Sequence, residues 1–457
     1  MKKFMLVFTL VLSATLYAQQ PLTITEPSDF KWSYVGYKGF SAGTANDISL
    51  AINDAGQPYV AFIDGANGFD ATVMKFNGSS WEYVGVPGFT LFGATNTGLT
   101  FSASGDLFIV YKDWGNFYMQ ASVRKFNGNS WIPVGIEGFS GSEVSEPCIA
   151  IDPFSDQPYV AFAVDPQGGK ISVMRFDGQN WVTVGVPAFT PGEAMDLSLA
   201  FSPIDGNPYI AFCDVGNDFK ASVMKFNGTT WTNVGSPGFS AGIAYYTSLA
   251  FNPSDGMPYV GYKDLMYSSK ATVKKFNGTN WVNVGIPGLS ESEVESTCLS
   301  FSPTGALHLI YRDFGSFNSA TVRRFDGSDW VPVGNPSSGN AYITKLAFSN
   351  SGKLFIAFVD PKASVMKCDS INNGINAPDE SSLLISPNPA SNIIVINLSS
   401  YYNFETIFIT SLTGQSLITC QVTEAKTPID ISALASGVYL LKVLGKGGVQ
   451  VGEFIKE

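Results

Sequence analysis

Trp81-Glu82-Tyr83-Val84-Gly85 is the stretch that decides the fold, because it recurs. Trp32, Trp131, Trp181, Trp231, Trp281 and Trp330 each open the same Trp-x-x-Val-Gly pattern, at spacings of 49 or 50 residues. Six of these seven tryptophans follow a turn such as Asn77-Gly78-Ser79-Ser80. An internal period of this length belongs to propellers, solenoids and arrays.

Working outward from Trp81, one full unit shows four strand-like runs: Ile48–Ile52, Pro58–Ile63, Ala71–Phe76 and Trp81–Gly85. Large and small residues alternate along the first run, the period of a strand. Asn53-Asp54-Ala55-Gly56 and Asn77-Gly78 punctuate the runs as tight turns, the latter with a left-handed preference suited to a hairpin. Four antiparallel strands in about 50 residues make a propeller blade. The strands are labelled a to d outward from the ring axis. The last unit, Ile343 to Cys368, lacks a Trp strand, and the first Trp strand, Phe30 to Gly36, lacks a unit. Together they complete one blade and remove the open sheet edges at a seam. The expected fold is therefore all-β: a seven-bladed β-propeller over 30–368, closed by an N-terminal strand.

Outside the ring, Lys2, Lys3 and the apolar run Phe4 to Leu12 read as a signal peptide over 1–18, followed by a segment 19–29. Residues 369–382 read as a linker. From 383 to 457 short strand-like runs resume and predict a small immunoglobulin-like β-sandwich. No later stretch is long and apolar enough for a transmembrane helix. The net charge of −11 and the scarcity of arginine exclude a nucleic-acid partner, which needs clustered cations. Five cysteines, an odd number, read mainly as buried free thiols in a monomer. Cys148 and Cys298 share one repeat position three units apart, and a ring is expected to hold them well separated.

The b–c and d–a connections share one face, and they are longer than the a–b and c–d turns. Long loops on a rigid scaffold are where binding residues collect. An aspartate ends strand b in nearly every unit: Asp64, Asp113, Asp214, Asp264, Asp313 and Asp360, with Asp165 one residue late. Such a carboxylate accepts backbone N–H bonds at a loop start; the functional reading is one ligand or cation contact per blade. Units two, five and six place Tyr and a base before it: Tyr111-Lys112-Asp113, Tyr262-Lys263-Asp264 and Tyr311-Arg312-Asp313. The other units place Phe there. Glu143 and Glu146 follow unit two, and Glu291, Glu293 and Glu295 follow unit five. They read either as partners for neighbouring bases or as polar pockets near the 2/3 and 5/6 junctions. The b–c loops also carry Trp114, Phe117, Tyr118, Phe219, Tyr267, Phe314 and Phe317. Aromatics beside carboxylates suit sugar rings; aromatics can equally fill gaps between blades. The candidate binding residues are Trp114, Tyr118, Lys112, Asp113, Glu143, Glu146, Tyr267, Lys263, Asp264, Arg312, Asp313 and Phe317.

Catalytic signatures are thin. His308 is the single histidine and reads as a packing residue, so multi-histidine metal sites are excluded. No catalytic residue and no bound cofactor are expected. Oxygen-rich runs such as Asp64 to Asp70 leave calcium open, without the full calcium-loop pattern. A glycosidase needs only two carboxylates, so a polysaccharide hydrolase or lyase stands as the alternative to a binding module for glycan or protein.

The C-terminal segment carries Ser386-Pro387-Asn388-Pro389-Ala390, Gly414 in a turn, Asp430-Ile431-Ser432 leading to Gly437-Val438-Tyr439-Leu440, and a closing Phe454-Ile455-Lys456. These residues resemble the type A C-terminal sorting domain of Bacteroidetes type IX secretion cargo. The resemblance implies handling by the type IX machinery, passage across the outer membrane and a secreted or surface location. The central repeats loosely resemble kelch and tectonin propeller repeats, which implies no particular ligand.

Overall fold

A computed structural model describes residues 30–115, 117–337, 339–370, 384–397, 406–411, 416–422, 424, 426–445 and 448–457. The expected signal peptide 1–18, the segment 19–29 and nearly all of the expected linker lie outside the described residues. The chain divides into two compact units, Met1–Asp369 and Ser370–Glu457.

Within the first unit, seven antiparallel four-stranded sheets are described. Unit one consists of Ala45–Ile52, Pro58–Asp64, Asp70–Phe76 and Trp81–Tyr83, paired in that order. The seventh sheet takes its outer strand, Phe30–Tyr34, from the start of the chain and pairs it with Lys362–Ser370. Each strand a packs against strand a of the next unit, and Thr344–Phe348 of unit seven packs against Ala45–Ile52 of unit one, so the ring is closed.

Strand b explains why the sheets need each other. Val60 and Phe62 enter a core shared with unit seven, whereas Ala61 and Ile63 enter a core shared with unit two. Phe108 and Val110 repeat this division between units two and three. Successive side chains of a strand point to opposite faces, so a strand buried on both faces must be apolar throughout. Fully burying one such Val, Ile or Phe contributes roughly 1.5–3 kcal/mol.

The Trp-x-x-Val-Gly pattern has a specific cause. The Trp81 indole N–H donates to the Val35 carbonyl of the preceding unit at 2.7 Å. Trp131, Trp181, Trp231, Trp281 and Trp330 do the same to Val84, Val134, Val184, Val234 and Val284. The glycine after each of these valines lies under the incoming indole. At Gly185, with φ +76°, an added Cβ would come within 3.2 Å of Trp231 and 3.0 Å of Phe226.

Strand a departs from the sequence reading. It begins at Ala45, three residues before Ile48, and carries a bulge between Asn46 and Ser49. Units two to six bulge at the same place. His308 is buried, edge-on to Phe348, with its Nδ1 3.0 Å from the Ala306 carbonyl oxygen.

The C-terminal unit pairs Leu384–Ser386, Ile393–Asn397 and Lys426–Asp430 in one sheet. Ser416–Gln421, Thr406–Thr410, Gly437–Gly445 and Gly448–Lys456 form the other. Ile394, Ile396, Ile407, Ile409, Leu441 and Phe454 fill its core. Strand Lys426–Asp430 escapes the sequence reading because Pro428 interrupts it. It is an edge strand with only Thr427 and Ile429 inward, where a proline is tolerated.

Candidate functional site

In units one to six the b–c loops return to the sheet through two consecutive left-handed residues. Unit three uses Gly168 and Gly169, the residues that adopt positive φ without steric cost. Other units place large side chains there: Phe69 in unit one, Tyr118 and Met119 in unit two, Phe219 in unit four and Phe317 in unit six. Phe69 is 55 % exposed, Tyr118 82 % and Phe317 86 %. One d–a connection repeats the anomaly. Phe92, at φ +71° and 75 % exposed, stands where the equivalent connections have Gly43, Ser142, Gly192, Gly242 and Ser292. Backbone held in a sparsely populated region costs of order 1–3 kcal/mol and clusters at functional sites.

Phe69, Phe92 and Trp114 converge. With Asn46, Asp47 and Thr95 they line a cavity of about 590 Å³ at the junction of units one and two. Trp114, half exposed, is oriented by its indole N–H donating to Thr95 Oγ1 at 2.9 Å.

The other sequence-predicted residues lie elsewhere. Tyr118 projects from the same loop as Trp114, and Lys112 and Asp113 are buried at the end of strand b. Asp113 accepts the Gly115 N–H at 2.9 Å. Glu143 is exposed, and its carbonyl accepts the Asp165 N–H. Lys263 pairs with Glu293 at 2.7 Å, Arg312 with Glu295 at 2.9 Å and Arg323 with Glu291 at 3.0 Å. Arg312 also sits over the rings of Phe314 and Tyr342. Asp264 and Asp313 are buried, capping the N–H groups of Met266 and Gly315. Tyr267 leans on Gly288, whereas Phe317 stands into solvent. The structure therefore brings Trp114 toward unit one and ties the carboxylates after unit five to bases.

The Tyr-or-Phe split on strand b has a partner on strand c. Tyr111, Tyr262 and Tyr311 lie diagonally across from Arg124, Lys274 and Arg323, two residues along strand c from their register partners Ser122, Thr272 and Thr321. Phe62, Phe162, Phe212 and Phe358 stand in the same relation to Met74, Met174, Met224 and Met366. Tyr111 Oη donates to Glu137 at 3.2 Å, and Arg124 Nε donates to the same oxygen at 2.8 Å. Burial raises the Tyr111 hydroxyl above its ordinary range.

A second arrangement lies at the axis. The bulges of strand a hold Asp47, Asn96, Glu146, Asp196, Tyr246 and Ser296 at φ between 47° and 56°. Several cap the next inner strand: Asp47 accepts the Asn96 N–H, Glu146 the Leu197 N–H and Asp196 the Tyr246 N–H, at 3.1, 3.1 and 2.7 Å. Asp47, Glu146, Cys148, Cys298 and Lys345 line an axial cavity of about 380 Å³. Cys148 and Cys298, three units apart in the ring, both line this cavity as free thiols. Burial and the neighbouring Asp196 push the Glu146 carboxyl up to about 7. Burial raises Asp196 as well.

Phe69, Phe92, Asp47 and Asp196 escaped the sequence reading. Aligning the d–a connections would have shown Phe92 among glycines and serines. Asp47 and its equivalents look like ordinary polar residues ahead of a strand. Among the described residues, no three His, Cys, Asp or Glu side chains come together to hold a metal ion. The oxygen-rich run uses its carboxylates internally: Asp64 accepts from Ala66, Asn67 and Thr72, and Asp70 from Thr90 and Gly93. No described helix is long and apolar enough to cross a membrane.

In the C-terminal unit, Asn388 accepts the Ile455 N–H at 2.9 Å and donates to the Glu453 carbonyl at 3.2 Å. Ala390 is buried, its N–H bonded to the Ile455 carbonyl. The Pro-Asn-Pro-Ala motif thus fastens the final strand.

No curated protein matches the chain. Among solved structures, the GH74 xyloglucanase from Xanthomonas campestris is 13% identical, covering 80% of this chain and 59% of its own, with a TM-score of 0.49. The fucose-specific lectin from Aleuria aurantia is 16% identical over 66% of this chain and 99% of its own, with a TM-score of 0.40. A protein of unknown function from Dyadobacter fermentans is 12% identical over 75% and 98%, with a TM-score of 0.43. The family described as secretion system C-terminal sorting domain matches residues 384–457. The C-terminal unit is a sorting domain of the type IX secretion system, carried in this chain behind a β-propeller.

Proposed function

We propose that the propeller is a secreted or cell-surface binding module. Its ligand, a glycan or a protein, is held on the b–c/d–a face at the junction of units one and two. The single observation that carries this reading is the convergence of Phe69, Phe92 and Trp114 on one cavity, two of them on left-handed backbone where glycine would be unstrained. A packing role does not require that strain, and exposure leaves the rings available. On this reading, residues 1–18 direct the chain across the inner membrane and 384–457 direct it across the outer one. A glycan array probed with the purified protein, beside Trp114→Ala, tests the reading: binding present in the parent and lost in the variant is expected. Equal binding by both removes Trp114 from the site.

One observation favours a second reading, hydrolysis or lysis of polysaccharide: Glu146 and Asp196 are two neighbouring carboxyls near the axis, both shifted upward. Release of new chain ends from polysaccharide, abolished in Glu146→Gln, supports it. Binding without product supports the module.

A further inference from the structure

The cavity at the junction of units one and two and the axial cavity are neighbours: Asp47 and Ile343 line both. The outer compartment has three aromatic rings and, among its lining residues, a single charge, Asp47. The inner compartment is bordered by strands a, with Ser49, Thr97 and Glu146 offering polar groups and Lys345 the one cation. Each is of a size that holds a small molecule. We infer that they form one bent site that takes the end of a neutral glycan chain. The sugars behind the end stack on Phe69, Phe92 and Trp114, and the terminal sugar turns past Asp47 and Ile343 into the axis. This rests on the binding-module reading and narrows its ligand.

Three features support the assignment. Exposed aromatic faces beside hydrogen-bonding side chains match a pyranose, which has an apolar C–H face and a hydroxyl rim. A carboxylate at the bend, with no lysine or arginine lining the outer compartment, opposes uronic and sialic acids. A site that turns from the surface into the axis admits a terminus, whereas an internal segment would run along the surface.

The experiment uses calorimetric titration of the mature protein with neutral cello-, manno- and malto-oligosaccharides, and with oligogalacturonate as the anionic comparison. Each neutral ligand is also used with its non-reducing end capped by a 4,6-benzylidene group and with its reducing end converted to the alditol. Ile343→Trp narrows the bend, and Ile343→Phe is the milder variant should the first fail to fold. At least one neutral ligand is expected to bind. Modifying one of its ends, or narrowing the bend, is expected to weaken binding by about tenfold or more, the loss of one anchoring contact. The narrowing should not weaken the end-modified ligand further. If both end-modified forms bind as tightly as the parent, and Ile343→Trp binds normally, the chain-end inference falls. The shelf reading then survives if Phe92→Gly still weakens binding. Tight binding of oligogalacturonate overturns the choice of a neutral ligand. If no saccharide binds, the inference falls, and a protein ligand lost in Phe92→Gly alone upholds the binding module without it.

Discussion

Trp32 donates its indole N–H to the Val333 carbonyl at 2.8 Å, joining residues 301 positions apart. It is the seventh copy of a bond repeated around the ring, and the one that crosses the seam. Trp32→Phe, which keeps the ring but not the donor, is expected to cost about 1 kcal/mol. Deleting 30–36 exposes the edge of Lys362–Ser370 and should lower Tm by many degrees. A deletion variant that melts with the parent would show that the seam does not hold the ring.

Gly185 tests the rest of the same motif. Gly185→Ala forces a Cβ into the left-handed region and against Trp231 and Phe226. A loss of about 1–3 kcal/mol is expected in urea unfolding. Gly178→Ala is also at positive φ but has no neighbour within 4 Å, so it measures the backbone part alone.

Phe92→Gly separates binding from stability. It removes an exposed ring and relieves positive φ, so Tm should stay level or rise while affinity falls. An anchoring residue contributes roughly 1–4 kcal/mol to binding. If Phe92→Gly melts early, the ring serves packing.

Glu146 and His308 give opposite pH dependences. The folded Glu146 carboxyl titrates near 7 against an ordinary 4.5, so between those values the native state holds more protons and stability falls as pH rises. Asp196 adds to that slope. Burial lowers His308 from 6.5 to about 4, so there the unfolded state holds more protons and stability rises with pH. The two slopes oppose each other from about 4.5 to 6.5. Glu146→Gln should leave a net gain of a few kcal/mol at most on going from pH 4 to 7. His308→Tyr, the residue at the matching position in several units, should leave a net loss. Parallel melts of all three proteins across this range check the signs.

Export should depend on the sorting domain and on how its last strand is fastened. Removing 383–457 is expected to leave a folded propeller in the periplasm. Asn388→Ala loses both bonds to the final strand and should cost about 1–2 kcal/mol there. Cell fractionation with limited proteolysis reports both effects. Normal amounts of the truncated protein outside the cell would contradict the sorting role.

The fold was legible because Trp-x-x-Val-Gly is a geometric demand, repeated seven times: a donor, an acceptor and a place without a Cβ. The seam was legible because Phe30–Tyr34 is that same motif without its unit. The site was less legible. Trp114 is conspicuous as the one tryptophan outside the repeat, but Phe69 stands out only through its φ angle, which composition does not carry, and Phe92 only once the d–a connections are laid against one another. Asp47 and Glu146 matter through a bulge that turns them toward the axis, and no residue type announces a bulge. The Tyr and Arg or Lys pairs across strands b and c were written in the sequence. They become visible only when the register is known.

The pairing of Phe30–Tyr34 with Lys362–Ser370 also sets an order of events. The first strand of the ring to be synthesised waits for the last, so no partial chain can finish its ring. A nascent or truncated chain that stops short of residue 362 carries two unpaired edges and an open inter-sheet core, which makes it a target for chaperones and proteases. Closure becomes available only when synthesis has nearly reached the sorting domain. A complete sorting signal therefore reports that every strand of the propeller has already been made.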